Sequence, residues 1–442
     1  MTDRGSDSRS IILADVHLVR AADAEPVVCD LYVEGGRIAA IDESRTNRQA
    51  ADDRIDCSAH VAIPALANLH IHCRPERALS DGMPVPEWHR RVDLISRHMT
   101  EEDSHVGGLI AFGELLLAGV TTSVAMTRHF AGAARAAEKL GIRAVVVPLA
   151  GDGGGVERGD LDDLSPSLET VAAYDDPESR VQMWPGFDSP LTTSLDGMNK
   201  VASIAKQKGL GIHTHMAETR YEVDTFKAKR GLSEVEAFRD NGILGPGTLL
   251  AHCNWLTDDE IRILSETSTA VVHNPTSNMR FASGVCRTLD LRESGVTVAL
   301  GTDGTESGFQ LNMFSAMRAA ARLQRIIHGD ASILNASEVL AMATLSAGSV
   351  LGTASGRIEE GGPADVAVLD MTGLHLQPYR RDSVNDSDLL NLIVWCAQPS
   401  DVQHVLCAGE VVVRDRALTR MSKGQIRRRA LETDARLRPL IA

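Results

Sequence analysis

Five polar groups, far apart in a chain of 442 residues, each stand where a short apolar run ends. They are His70-Ile71-His72 after VAIPALANL, His215-Met216-Ala217-Glu218 after LGIHT, His252 after TLLA, His273 after TAVV, and Asp303 after VTVALGT. Runs of Val, Ile, Leu and Ala closed by turn residues are the pattern of strands buried on both faces of a parallel sheet. Polar residues at the carboxyl ends of such strands converge at one mouth of a barrel. His70 and His72 are two apart, so on a strand they share a face and can grip one ion. Three histidines and an aspartate with an open coordination position describe a catalytic metal site.

The rest of the chain divides around that region. Residues 1–64 read as short strands with turns, including VVCDLYVEGGRIAAI with its Gly35-Gly36 turn, and residues 358–442 show the same character in GRIEEGGPADVAVLD and VQHVLCAGEVVVRD before a helical tail. Two all-β segments flanking a central region predict one small β-sandwich built from both chain ends. Over residues 65–357, strands alternate with helical patterns. Thr100 with Glu101, Glu102 and Asp103 offers an N-cap and acidic first turn for LIAFGELLLA, which Gly119 can end. Counting from VAIPALANLHIH to VTVALGTD gives eight strands, so the expected fold is α/β, a (β/α)8 TIM barrel. Met313, Phe314, Met317, Ala320 and Ala321 mark the buried side of the helix after the last strand.

Composition excludes other classes. A formal charge of −15 opposes a nucleic-acid surface, and Arg427-Arg428-Arg429 reads as a solvated helix face. Seven cysteines without C-x-x-C spacing indicate neither a disulfide framework nor a cysteine zinc cluster. The N-terminus has only a short apolar stretch, and no run of about eighteen apolar residues occurs. A cytoplasmic enzyme acting on a small molecule, without membrane or nucleic-acid partners, is the expectation.

The segments IPALANLHIH, IHTHMAET, LLAHCNWLTDDE, VVHNPTSNMRFASGV and LGTDGTESGFQLNMFSAMR together resemble the amidohydrolase superfamily, within it the triazine-hydrolase and heterocycle-deaminase group of chlorohydrolases and aminohydrolases. The resemblance runs over nearly the whole chain. It implies one divalent metal, zinc with ferrous iron as the alternative, held by His70, His72, His215 and Asp303, and a homo-oligomer, a dimer in this family. It places the metal on His215, three before the glutamate, and leaves His213 as a filler of the barrel interior. Binuclear relatives carry a lysine near the fourth strand; RVQMWPGFDSP has none, which implies a mononuclear site.

By the same resemblance Glu218, His252 and Asp303 are catalytic. Asp303 and His252 hold the attacking hydroxide, while Glu218 carries a proton to a ring nitrogen before ammonia leaves. Trp88, Asp188, His273, Asn278 and Glu306 are the expected substrate-binding residues; structural roles in a turn or in packing stand beside them for Trp88, Asp188 and His273. The expected reaction is replacement of an amino group on a purine, pyrimidine, pterin or triazine. Dechlorination or N-dealkylation of s-triazines, or opening of a cyclic amide, are alternatives on the same site, and a non-catalytic scaffold is remote because the ligand set is intact. Relatives acting on adenosyl compounds show a G-P-H-S-P-like turn after strand four and S-N-N after the metal aspartate. Here Gly186-Phe187-Asp188-Ser189-Pro190 and Ser307-Gly308-Phe309 replace them, which disfavours S-adenosylhomocysteine and methylthioadenosine. Glu76, Asp188 and Glu306 suit a substrate with amino groups or positive charge.

Overall fold

The computed structural model describes residues 10–45, 51–77, 81–157, 161–176, 179–381 and 386–441. Eight parallel strands carry the polar groups identified above. They are β1 (Leu66–Ile71), β2 (Val120–Thr127), β3 (Arg143–Pro148), β4 (Val181–Met183), β5 (Ile212–Met216), β6 (Thr248–His252), β7 (Ala270–His273) and β8 (Val298–Leu300). Hydrogen-bonded ladders join β1 to β4 in one four-stranded sheet and β5 to β8 in another.

Two sparse seams join these sheets. Gly186, just past β4, bridges His213 of β5. On the other side the Asp303 N–H donates to the His70 carbonyl at 3.0 Å, and the Thr302 N–H donates to Asn68 Oδ1 at 3.2 Å. Ladder pairing is therefore not continuous around the eight strands, yet β1, β2, β3, β6, β7 and β8 share one apolar cluster that includes Leu69, Val124, Val145, Leu249, Val272 and Ala299. Neighbouring residues Ala125, Val146, Leu250, Val271 and Val298 belong to the larger core formed with the helices. The alternation explains the runs: with both faces buried, a strand has no polar side.

The helices begin and end as their sequences dictate. Thr100 and Asp103 form a capping box at Glu101–Leu117, whose end passes into Gly119 at φ +81°. Thr257 and Glu260 do the same for Asp258–Glu266. In Met313–His328 the buried face comprises Met313, Phe314, Ala316, Met317, Ala320, Ala321 and Gln324, which contains all five residues expected there. Arg427 and Arg428 are exposed on the helix Lys423–Leu437.

Both chain ends do meet, in a single nine-stranded sheet rather than in two separately hydrogen-bonded layers. His60–Pro64 lies between Ile11–Leu18 and Val366–Asp370, pairing Val366 with Pro64. The apolar run VAIPALANL thus serves two sheets, its first half here and its second half as β1. Val366 and Val368 face a core shared with Leu13, Leu31 and Ala62, whereas Ala367 and Leu369 face the main core. Among the described residues no helix is long and apolar enough to cross a membrane.

Candidate active site

Hydrogen-bond partners decide the tautomers of the histidines on β5 and at the ends of β1 and β6. A carbonyl oxygen can only accept, so a ring nitrogen beside one must donate, and the other nitrogen of a neutral ring is left with its lone pair. His72 Nδ1 lies 2.7 Å from the Met126 carbonyl and His215 Nδ1 lies 2.7 Å from the Asp188 carbonyl. His213 Nδ1 donates to the Leu249 carbonyl at 2.8 Å, so its Nε2 accepts from His70 Nδ1 at 2.8 Å. His252 Nδ1 donates to Asn278 Oδ1 at 2.8 Å. In His70, His215 and His252 the Nε2 atom is left bare for the site, while His72 Nε2 faces the Asp303 carboxylate.

These atoms converge. His70, His72 and His215 offer ligand atoms within 4.8 Å of one another, as do His70, His252 and Asp303. His70 Nε2 is fully buried with no hydrogen-bond partner, and lies 3.7 Å from Asp303 Oδ1; His72 Nε2 lies 3.2 Å from the same oxygen. A buried bare imidazole nitrogen aimed at a carboxylate and further imidazoles fits a divalent cation, and nitrogen with one oxygen donor suits zinc. Imidazoles ligate through carbonyl-oriented rings in the same way in other metal sites.

Electrostatics follow the burial. Burial pushes His70 well below its ordinary value, takes His213 down to about 3, and lowers His215. Burial acts on His72 in the same direction, but the hydrogen bond and charge of Asp303 outweigh it and raise His72 to about 9. The converse holds for Asp303: burial would raise it, and His72 holds it well below the usual carboxylate range. Ser277 Oγ donates to Asp303 Oδ2 at 2.6 Å and the Gly304 N–H donates to Oδ1 at 2.7 Å, which fixes the carboxylate plane. Asp303 and His252 hold positive φ, +63° and +75°. Such a backbone costs about 1–3 kcal/mol per residue and persists where surrounding bonds over-determine it.

Glu218 stands beside this cluster, with one carboxylate oxygen 3.9 Å from His252 Nε2. Its main chain is held on both sides. The Glu218 N–H donates to Glu222 Oε2 at 2.7 Å, the Ala217 N–H to Glu234 Oε2 at 2.7 Å, and Asn254 Nδ2 donates to the Glu218 carbonyl at 2.8 Å. Glu222 and Glu234 are buried acids raised by burial, Glu234 to about 8. Ser277 was read only as part of a loop that resembles the family's pocket-closing loop, and sequence reasoning missed Asn254, Glu222 and Glu234. Only Glu222 had a readable signal, four residues past Glu218 in the first turn of the helix Arg220–Arg230.

The residues expected on the substrate side separate. Trp88 is buried and packs edge-on against Phe281, ring centroids 4.9 Å apart. Asp188 is half-buried; its carboxylate accepts from Thr192 Oγ1 at 2.9 Å, and its carbonyl orients His215. Glu306 is buried with Oε2 unpartnered, and burial raises it to about 7. His273 is fully buried, neither ring nitrogen has a partner, and burial takes it down to about 3. Asn278 is buried, and its amide is engaged by His252 and Asn254. Glu76 accepts from Arg74 Nε at 2.8 Å, so its charge is already paired. In the glycine-rich loop after β3, the Asp152 carboxylate accepts from the Ser194 and Gly154 N–H groups.

Residues 61–412 match the model of the amidohydrolase family. The chain belongs to this family. A 5-methylthioadenosine/S-adenosylhomocysteine deaminase of Haloarcula marismortui is 34% identical over 409 residues, 91% of this chain and 92% of the relative. A 5'-deoxyadenosine deaminase of Methanothermobacter thermautotrophicus is 31% identical over 417 residues, 92% and 94% of the two chains. Among solved structures, an adenosine deaminase from Xanthomonas campestris with bound zinc superposes with a TM-score of 0.88 at 25% identity, covering 97% of this amidohydrolase and 98% of that chain. The chain is accordingly a hydrolase of C–N bonds. The departures at the turn after β4 and after Asp303 thus occur in a chain whose relatives include the adenosyl deaminases that those departures disfavour.

Proposed function

We propose that this amidohydrolase is a zinc-dependent aminohydrolase that converts an amino-substituted purine, carried as a nucleoside, to its oxo form with release of ammonia. The observation that carries the reading is the convergence of the His70, His72, His215 and His252 side chains and Asp303 beside Glu218. The purine is favoured over pyrimidine, pterin or triazine because the relatives that support it share about a third of their residues with this chain over most of its length. Triazine hydrolases at 20% identity share the fold, and nothing specific favours their chemistry or cyclic-amide opening here.

In this reading His70, His72, His215 and Asp303 hold one ion, which when bound would supply the Lewis acidity that makes a water-derived nucleophile available near neutral pH. The bare Nε2 of His252 accepts a hydrogen bond from the attacking water and aims it. Glu218 takes one water proton and delivers it to the ring nitrogen beside the amino-bearing carbon. A C–O bond forms, the C–N bond breaks, and the second water proton leaves with ammonia. Trp88, Asp188, His273 and Glu306 line the substrate side. Asp188 and Glu306 are the acids left to read donor groups, since Glu76 is paired with Arg74.

A closed eight-stranded barrel over residues 65–357, with a small sandwich-like domain from residues 1–64 and 358–442, is part of this reading, supported by the contacts across both seams and the shared apolar cluster. A homodimer and a cytoplasmic location accompany the family reading. Ammonia release from 5'-deoxyadenosine, methylthioadenosine, S-adenosylhomocysteine, adenosine, guanine, aminopyrimidines, pterins and s-triazines tests the substrate class. Glu218→Gln is expected to keep its zinc by elemental analysis and lose about a hundred- to ten-thousandfold in kcat, because an amide cannot accept the proton. Near-normal turnover in the zinc-replete variant would remove Glu218 from the reaction.

A further inference from the structure

Asn254 and Asn278 lie on different segments, and neither has a role in the reading above. Both are buried, 4% and 1% exposed. Their amides nevertheless form a directed chain. His252 Nδ1 donates to Asn278 Oδ1 at 2.8 Å, Asn278 Nδ2 donates to Asn254 Oδ1 at 2.7 Å, and Asn254 Nδ2 donates to the Glu218 carbonyl at 2.8 Å. Each amide uses its oxygen toward His252 and its nitrogen toward Glu218, so the polarity of the chain is the same at every link. The far ends are the two groups whose side chains meet at 3.9 Å on the site side, His252 Nε2 and Glu218 Oε2. The result is a closed loop of contacts through His252, Asn278, Asn254 and Glu218.

We propose that Asn254 and Asn278 are positioning residues: an amide relay that holds His252 as the Nδ1–H tautomer and sets the distance between His252 and Glu218. The inference rests on the aminohydrolase reading for the use of that distance, but the tautomer is a property of the protein alone. An Asn is suited to the task because it presents an acceptor and a donor in one rigid plane. Asp could not donate onward, and a water could rotate. The strained backbone of His252 is held in place by the same segment, since the Cys253 N–H donates to the Met216 carbonyl and the Asn254 N–H to the Ala217 carbonyl, each at 3.0 Å. Asn278 sits in the helix Pro275–Phe281 with Ser277, which fixes Asp303, so one short helix orients two groups of the site, His252 and Asp303.

The test compares Asn278→Leu, Asn278→Asp and Asn254→Leu with wild type, all zinc-loaded and with zinc content measured. Long-range histidine 15N–1H spectra are recorded without substrate, the His252 signals being those that vanish in His252→Gln. Asn278→Leu is expected to keep its zinc, lose the pure Nδ1–H signature of His252, and drop about 10- to 100-fold in kcat with KM within about threefold. Asn254→Leu and Asn278→Asp should keep that tautomer, because the acceptor for Nδ1–H remains, yet still lose about tenfold in kcat because the link to Glu218 is cut. An unchanged His252 tautomer in Asn278→Leu would overturn the relay, and so would a rise in KM at constant kcat, which would make Asn278 a substrate contact. If Asn278→Leu does not fold, the other two variants decide: kcat equal to wild type in both overturns the proposal. A wild-type protein that deaminates none of the heterocycles would sink the aminohydrolase reading while leaving the spectroscopic result to judge the relay.

Discussion

His213 and His215 lie one pleat pair apart on β5 and both face the site, yet they do different things. His213 accepts from His70 and donates to Leu249, so both nitrogens are used inside the protein, while His215 keeps its Nε2 bare. His215→Ala is therefore expected to lose zinc and activity together. His213→Ala should still bind zinc, about 10- to 100-fold more weakly, because His70 loses the acceptor that fixes its tautomer; zinc titration with a competing chelator measures both. The opposite order would exchange the roles of the two histidines. In the sequence the choice of His215 over His213 as the expected ligand rested on the family motif alone, because strand periodicity gives both residues the same face. Which nitrogen is left bare depends on carbonyls of Met126, Asp188 and Leu249, none of which differs in sequence from any other main-chain oxygen.

At the scale of elements, the seam between β4 and β5 rests on little. Gly186 bridges His213, and a Cβ there would stand 2.3 Å from both the His213 carbonyl oxygen and Val147 Cγ1. Gly186→Ala must push backbone apart, and a loss of about 1–3 kcal/mol is expected, read as a lower Tm with a weakened zinc site. An unchanged Tm would show that the seam yields freely. The helix Glu234–Asp240 carries a second consequence. Glu234 ionises at about 8 in the fold against an ordinary 4.5, burial being the main cause. Between those values unfolding releases a proton, so this acid makes stability fall as pH rises from about 5 to 8. Glu234→Gln can still accept from the Ala217 N–H but carries no charge. Its Tm should exceed that of wild type by more at pH 8 than at pH 5, and equal differences at the two pH values would refute the shift. Elements with strong local rules were legible: capping boxes at Thr100 and Thr257, and the apolar face from Met313 to Ala321. The division of VAIPALANL between two sheets was not, because both halves are buried on both faces and read alike.

For the whole molecule, the residues proposed to hold the ion come from the ends of β1 and β5 and the loop after β8, so an ion bound there would tie together both four-stranded sheets. Binding to the native state alone stabilises it by about 4 kcal/mol at a thousandfold excess over Kd. Removal of zinc by chelation should abolish turnover and lower Tm by several degrees, with both restored by stoichiometric zinc; His215→Ala should show no zinc-dependent rise. A Tm indifferent to chelation would mean that the sheets hold together without the ion. The sequence by itself determined the parallel α/β region, the polar groups at its strand ends, the joining of the two chain ends and the chemistry class, because hydrophobic period, strand-end polarity and ordered motifs are local signals. Tertiary structure alone decided that the ends form one nine-stranded sheet, that Asn278 accepts from His252, and that Glu76 is paired with Arg74. These depend on contacts between residues far apart along the chain, where no periodicity or spacing carries information about which side chain meets which.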